Sequence, residues 1–150
     1  MKIKDILSIK GFTVVGIDPK RTLKDALATM VEKRVGALVV RGESGTLEGI
    51  ITERDIMRAV HAEMPLGEKP VEEVMTRDVV TGAPEDHIEY AMNEMTEKRF
   101  RHMPIVEADN LLGVLSIGDI VRAERDRAKD NVDELWKYIS GPAAAGPPTT

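Results

Sequence analysis

The chain repeats itself: Gly49-Ile50-Ile51-Thr52-Glu53-Arg54-Asp55-Ile56 returns, altered, as Gly113-Val114-Leu115-Ser116-Ile117-Gly118-Asp119-Ile120. The echo spreads outward. Pro19 answers to Pro84, Ala26 to Ala91, Met30 to Met95 and Glu32-Lys33-Arg34 to Glu97-Lys98-Arg99 at an offset of 65; the motif itself sits at 64, because the second hairpin is one residue shorter. A duplication this regular makes each half one supersecondary unit, too small to bury a core alone, and predicts that the halves pack on each other.

Each half reads in the same order. A short strand (12–15 or 78–80) leads through a Pro-bearing turn to an amphipathic helix. In these helices Leu23, Ala26, Leu27, Met30 and Val31, or Ile88, Ala91, Met92 and Met95, recur at i, i+3, i+4, i+7 and predict a core-facing stripe. Two strands follow, 37–40 and 47–51 around a turn at 42–45, or 103–106 and 111–115 around 108–110. Their near-continuous Val, Ile and Leu suit strands covered by helices. A second helix opens at Thr52 or Ser116. The fold class is therefore α/β, two pseudo-symmetric β-α-β-β-α repeats. The expected divisions are repeat one at 3–61, a linker at 62–70 marked by Pro65, Gly67 and Pro70, and repeat two at 71–125. Neither glycine nor proline interrupts 119–140, so the last helix should extend through 126–140. Its Val121, Ala128, Val132, Leu135, Trp136 and Ile139 form an apolar seam that needs a partner. The Pro/Gly/Ala-rich 141–150 reads as a disordered tail.

Charge and residue usage exclude several functions. With 21 basic and 26 acidic residues among 150, the net charge is −5, which opposes the counterion release that drives nucleic-acid binding. There is no cysteine, hence no disulfide framework and no thiolate metal site. No apolar run nears the ~18 residues of a membrane span, and Asp5 precedes any apolar stretch of a secretory signal. A cytoplasmic protein with no membrane or nucleic-acid partner is expected.

The repeated motif places a hydroxyl and, three residues later, a carboxylate where a strand becomes a helix. Thr52-x-x-Asp55 and Ser116-x-x-Asp119 match the capping box, as do Thr22-x-x-Asp25 and, more loosely, Asp86-x-x-Glu89. Capping alone would explain them, and a ligand-free interaction scaffold is the alternative function. A helix N-terminus is nevertheless an anion site, the glycine three residues ahead leaves room for a ligand near the backbone, and a carboxylate suits the two hydroxyls of a ribose. Phosphate then needs cations. Arg101 and His102, at the start of the strand that pairs with the one leading to Ser116, offer them at the second motif; Gly36 and Ala37 stand in their place in the first half, where Arg54 is the local cation. The second motif, with Arg101, His102, Ser116 and Asp119, is thus expected to be the better phosphate site. Catalysis is not expected. Ser116 lacks the first glycine of a nucleophile elbow, and His61, His87 and His102 show no zinc-type spacing.

These residues resemble a pair of CBS domains, a Bateman module, over about residues 3–125; Thr-Glu-Arg-Asp, Arg-His-Met-Pro, Ser-Ile-Gly-Asp and the final Trp-Lys-Tyr-Ile are similar to small stand-alone bacterial CBS-pair proteins. The resemblance implies a regulatory ligand held between the repeats, AMP or NAD(H) first, ATP, ADP or S-adenosylmethionine next, with no obligatory cofactor and no metal. It implies that Asp55 and Asp119 hold ribose hydroxyls, that Thr52 and Ser116 bond ribose or phosphate, and that Arg101, His102 and Arg54 meet phosphates. The base would lie among Val14, Val15, Val79, Val80, Met103 and Pro104. It also implies a homodimer of Bateman modules and an effector protein that receives the signal.

Overall fold

The computed structural model describes residues 1–11 and 14–140. In chain order these form α1 (Ile3–Lys10), β1 (Gly16–Ile17), α2 (Leu23–Lys33), β2 (Ala37–Arg41), β3 (Leu47–Thr52), α3 (Glu53–His61), a single 3-10 turn (Val71–Glu73), α4 (Ile88–Lys98), β4 (His102–Glu107), β5 (Asn110–Ser116) and α5 (Ile117–Ser140). The duplicated helix, hairpin and helix appear in both halves, and the last helix runs for 24 residues. No helix among the described residues is long and apolar enough to cross a membrane.

In the first sheet β1 runs parallel to β2, with Gly16 opposite Val39, and β2 runs antiparallel to β3, with Ala37 opposite Thr52. The leading strand therefore lies later than 12–15: it is Gly16–Ile17, preceded by one bond from the Val39 N–H to the Val15 carbonyl. Residues 12 and 13 lie outside the described residues, as does the expected tail at 141–150. The second sheet has only β4 and β5, joined through Ala108 and Asp109, both left-handed (φ 48 and 65°) as a two-residue hairpin turn requires.

The strand expected at 78–80 does not form. The chain meets β4 only at Gly82, which donates to the Pro104 carbonyl (3.0 Å) and accepts from the Val106 N–H (2.8 Å). Two residues later Pro84 turns it away, and the Asp86 carboxylate closes that turn by accepting the Ala83 N–H (2.8 Å). Asp86 is then committed and does not cap α4; the capping position falls to His87, whose side chain makes no cap bond. Thr22 and Asp25, by contrast, complete the reciprocal box on α2.

The amphipathic stripes face the core over part of their width. Leu23, Ala26 and Met30 of α2 and Ile88, Ala91 and Met95 of α4 are buried, whereas Val31 is 71% exposed and Leu27 and Met92 are over a third exposed. The apolar seam along the outer half of α5 is likewise open, with Ile139 68% exposed.

Two segments are exchanged between the halves. Helix α1, which sequence periodicity did not single out, buries Ile3, Ile6 and Leu7 among Ile88, Ala91, Met103, Ile105 and Leu115 of the second half. Its start is pinned there: the Ile3 N–H donates to the Asp86 carbonyl and the Lys4 N–H to that of Pro84, both at 2.9 Å. Glu85 takes hydrogen bonds from Lys2 and Lys4, which hold its carboxyl down to about 2. Conversely Val71 and Met75 fill the core of the first half, beside Leu23, Leu38 and Ile51. The proline-rich connection clings to the same half, its Leu66 and Lys69 carbonyls accepting the first N–H groups of α2.

The motif glycines serve this exchange. A Cβ on Gly49 would lie 2.6 Å from the Thr76 carbonyl oxygen and 2.8 Å from the Met75 sulfur, and one on Gly113 would lie 3.2 Å from Leu7. The space that each glycine leaves is filled by the crossing segment. Chain packing, not ligand approach, is what it accommodates.

Candidate functional site

Both motifs end a strand with an extended residue whose hydroxyl caps the next helix. The Thr52 Oγ1 accepts the Asp55 N–H (3.3 Å), and the Asp55 carboxylate accepts the Thr52 N–H (2.8 Å) and its hydroxyl (3.1 Å). Ser116 and Asp119 repeat the exchange, at 3.1 Å from the Asp119 N–H to Ser116 Oγ and 2.9 Å from the Ser116 N–H to the carboxylate. The next helical N–H also has its partner in each copy: Glu53 donates to the Gly36 carbonyl and Ile117 to that of Arg101 (2.9 Å each). Two of the donors that a helix start leaves open are thereby satisfied twice over by the same construction.

The surroundings differ. A cleft of about 560 Å³ opens at the first motif, floored by Thr52 and Asp55 and walled by Val79 and Val80 from the crossing segment. Arg54 and Arg58 of α3 line one side, and Lys98, Arg99 and Arg101 of the second half line the other. Among the described residues no salt bridge engages Arg54, Arg58, Arg99 or Arg101; Lys98 pairs with Glu94 at 2.7 Å. Asp55 has no hydrogen bond at its second oxygen among these residues. The cleft thus combines a carboxylate with one oxygen unbonded among the described residues, the start of a helix and several guanidinium groups outside any salt bridge, one of which, that of Arg54, donates to the Arg99 carbonyl at 3.4 Å.

His102 stands between the motifs. It lies opposite Ser116 in the β4–β5 register, yet its ring also reaches the first half, where a Cβ on Gly36 would lie 3.5 Å from His102 Cε1 and 3.4 Å from the Glu53 carboxyl. The missing side chain at Gly36 is the space that lets the second half enter the first cleft. Burial pushes the His102 imidazole below its ordinary value, opposed by the Glu53 and Asp119 carboxylates and helped by the Lys10 and Arg101 charges.

At the second motif the carboxylate is committed. Lys10 Nζ lies 2.6 Å from Asp119 Oδ2, Arg122 Nη2 lies 2.6 Å from Oδ1, and Asp119 is only 6% exposed. Burial alone would raise the Asp119 pKa; hydrogen bonds from Lys10 and Ser116 and the Lys10 charge outweigh it and hold the group below its ordinary value.

The grouping expected from the sequence therefore changes. Thr52, Arg54, Asp55, Val79, Val80, Arg101 and His102 come together in one cleft, which Ser116 and Asp119 do not line. Met103 and Pro104 are buried in and beside the second core, and neither they nor Val14 and Val15 line the cleft. Val14 and Val15 are, by the offset of 65, the counterparts of Val79 and Val80. Sequence reasoning missed Arg58 and Arg99. Helical spacing holds a signal for Arg58, one turn beyond Arg54 and Asp55; Arg99 is a left-handed helix end (φ 57°) like Arg34 before it.

The CBS domain family profile matches residues 3–62 and 71–126. A mitochondrial CBS domain-containing protein of Arabidopsis thaliana, CBSX3, is 35% identical over 148 residues, covering 93% of this chain and 72% of the relative. The crystal structure of a CBS-domain containing protein from Agrobacterium tumefaciens is 36% identical with a TM-score of 0.79, over 82% of this chain and 92% of that one. The CBS domain pair of protein MJ0100, solved in complex with 5′-methylthioadenosine and S-adenosyl-L-methionine, is 25% identical with a TM-score of 0.74, over 82% of this chain and 98% of that one.

Proposed function

This chain belongs to the CBS domain family, as a tandem pair, and from that premise we propose that it is a regulatory module that senses an adenosine nucleotide at the Thr52–Asp55 cleft. The observation that carries the reading is that the Asp55 carboxylate lines one cleft together with guanidinium groups that make no salt bridge among the described residues, in a chain with a net charge of −5. Asp55 would accept the ribose hydroxyls; Arg54, Arg58, Arg99 and Arg101, with the N-terminal turn of α3, would meet phosphate. The adenosine compounds bound to the related MJ0100 pair support the ligand class. AMP, ADP, ATP and NAD(H) all fit a site that pairs a ribose acceptor with cations, and phosphate distinguishes them from an uncharged thioether.

The cleft takes side chains from both halves, so occupancy biases their relative placement by its differential affinity for the two arrangements. Output passes through association in the cytoplasm. The open apolar positions Leu27, Val31, Met57 and Val60 on α2 and α3 suit a second copy of the module, and the α5 seam suits the same dimer or an effector protein. No catalytic step is assigned to the chain. The rival reading, a ligand-free scaffold, is favoured by one observation: both motifs complete their caps without a ligand.

Calorimetry and thermal unfolding with AMP, ADP, ATP and NAD(H) separate the two. A bound nucleotide at 100 times its Kd should stabilise the fold by about 2.7 kcal/mol, and Asp55→Ala should abolish that gain. If no adenosine compound shifts the wild-type chain, the scaffold reading stands.

A further inference from the structure

We propose that Lys10 is the resident occupant of the second motif, so that each chain takes its nucleotide at the first motif alone; the inference rests on the ligand-binding reading above. Both motifs cap their helices in the same way, and what separates them is the fate of the carboxylate. Asp55 keeps an oxygen free among the described residues. Asp119 gives Oδ2 to Lys10 and Oδ1 to Arg122, each at 2.6 Å, while Lys10 also donates to the Val114 carbonyl. The two oxygens that a ribose would need are taken.

Two differences between the copies produce this. Leu7 fills the space beside Gly113 as Met75 fills that beside Gly49, and three residues further on the crossing segment carries Lys10 in one copy, which pairs with Asp119, and Asp78 in the other, which lines the first cleft; it thus delivers an ammonium to one motif and a carboxylate to the other. Arg122 corresponds, at 64, to Arg58, and the motif residue one turn before it differs between the copies. Arg122 folds back beside Gly118, where a Cβ would lie 3.4 Å from its Nη1; in the first copy Arg54 occupies that position and Arg58 lines the cleft. Charge-assisted bonds to a buried carboxylate are the strong kind, and a ligand could replace them only by releasing the end of α1. The second motif is a lock between α1, β5 and α5.

Binding stoichiometry of the full chain with AMP and with ADP tests this, by calorimetry and equilibrium dialysis. One nucleotide per chain is expected for the wild type, two for Lys10→Met and one for Lys10→Met combined with Asp55→Ala. Two per wild-type chain, or one per Lys10→Met chain, overturns the proposal. A readout without ligand accompanies it: under reductive methylation Lys10 should be protected relative to Lys20, whose side chain is 79% exposed, and should lose that protection in Asp119→Asn. Equal modification of Lys10 and Lys20 in the wild type overturns the lock. Protection of Lys10 with no nucleotide bound by any variant upholds the lock and removes the nucleotide function instead.

Discussion

Single positions account for most of the divergence between two nearly equal halves. Gly36, Gly118 and Lys10 bear on whether a side chain enters a cleft, folds back or pairs with a carboxylate. The motif glycines show how a residue that looks like a ligand contact can be a packing contact. At Gly49 the obstacle is a backbone oxygen at 2.6 Å, which cannot rotate away, whereas at Gly113 it is the far end of Leu7 at 3.2 Å. Overpacking typically costs about 1–3 kcal/mol. Gly49→Ala should fall at the upper end or beyond and Gly113→Ala at the lower end. Urea unfolding midpoints decide it, and equal losses in the two variants would refute the assignment.

Among the elements, α1 has the role its sequence least advertised. Its eight residues carry none of the repeated motif, yet Ile3, Ile6 and Leu7 complete a core whose other members lie beyond residue 87. Three buried aliphatic side chains at about 1.5–3 kcal/mol each are comparable with the ~5–15 kcal/mol by which a domain is stable. Deleting residues 1–10 should therefore unfold the second half. Hydrogen exchange would register it as lost protection across α4, β4 and β5; protection retained there would show that α1 is dispensable. The caps at Thr22, Thr52 and Ser116, the hairpins and the length of α5 were legible locally, because hydroxyl–acid spacing, turn residues and uninterrupted helical sequence act within a few positions. The missing strand at 78–80 was not, because Gly82 and Pro84 fix where that segment may touch β4.

At the scale of the whole molecule, packing the halves together creates the environment of His102. Burial disfavours the charged ring and holds its pKa below the ordinary 6.5. The sign follows directly: below about 6.5 the unfolded chain takes up a proton that the folded chain resists, so this contribution is present above that pH and fades as pH falls toward the folded value. Asp119 acts in a lower window, its stabilisation present above its ordinary 3.8 and lost as pH falls through its depressed value. Unfolding midpoints should thus drop between pH 7 and pH 5, and His102→Gln should flatten the drop; an unchanged slope in that variant would exclude His102 as its source.

The sequence by itself determined the duplication, the helix-hairpin-helix order shared by both halves, the capping motifs at Thr52 and Ser116 and the family, because all of these are written in local spacing and in the comparison of one copy with the other. Only the tertiary structure decided which copy is open. Arg101 and His102 belong to the second half of the chain but line the first cleft, and Lys10 belongs to the first half but closes on Asp119 of the second. Sequence distance carries no record of a crossing segment, and charges are paired or left free by what the fold brings within reach of them.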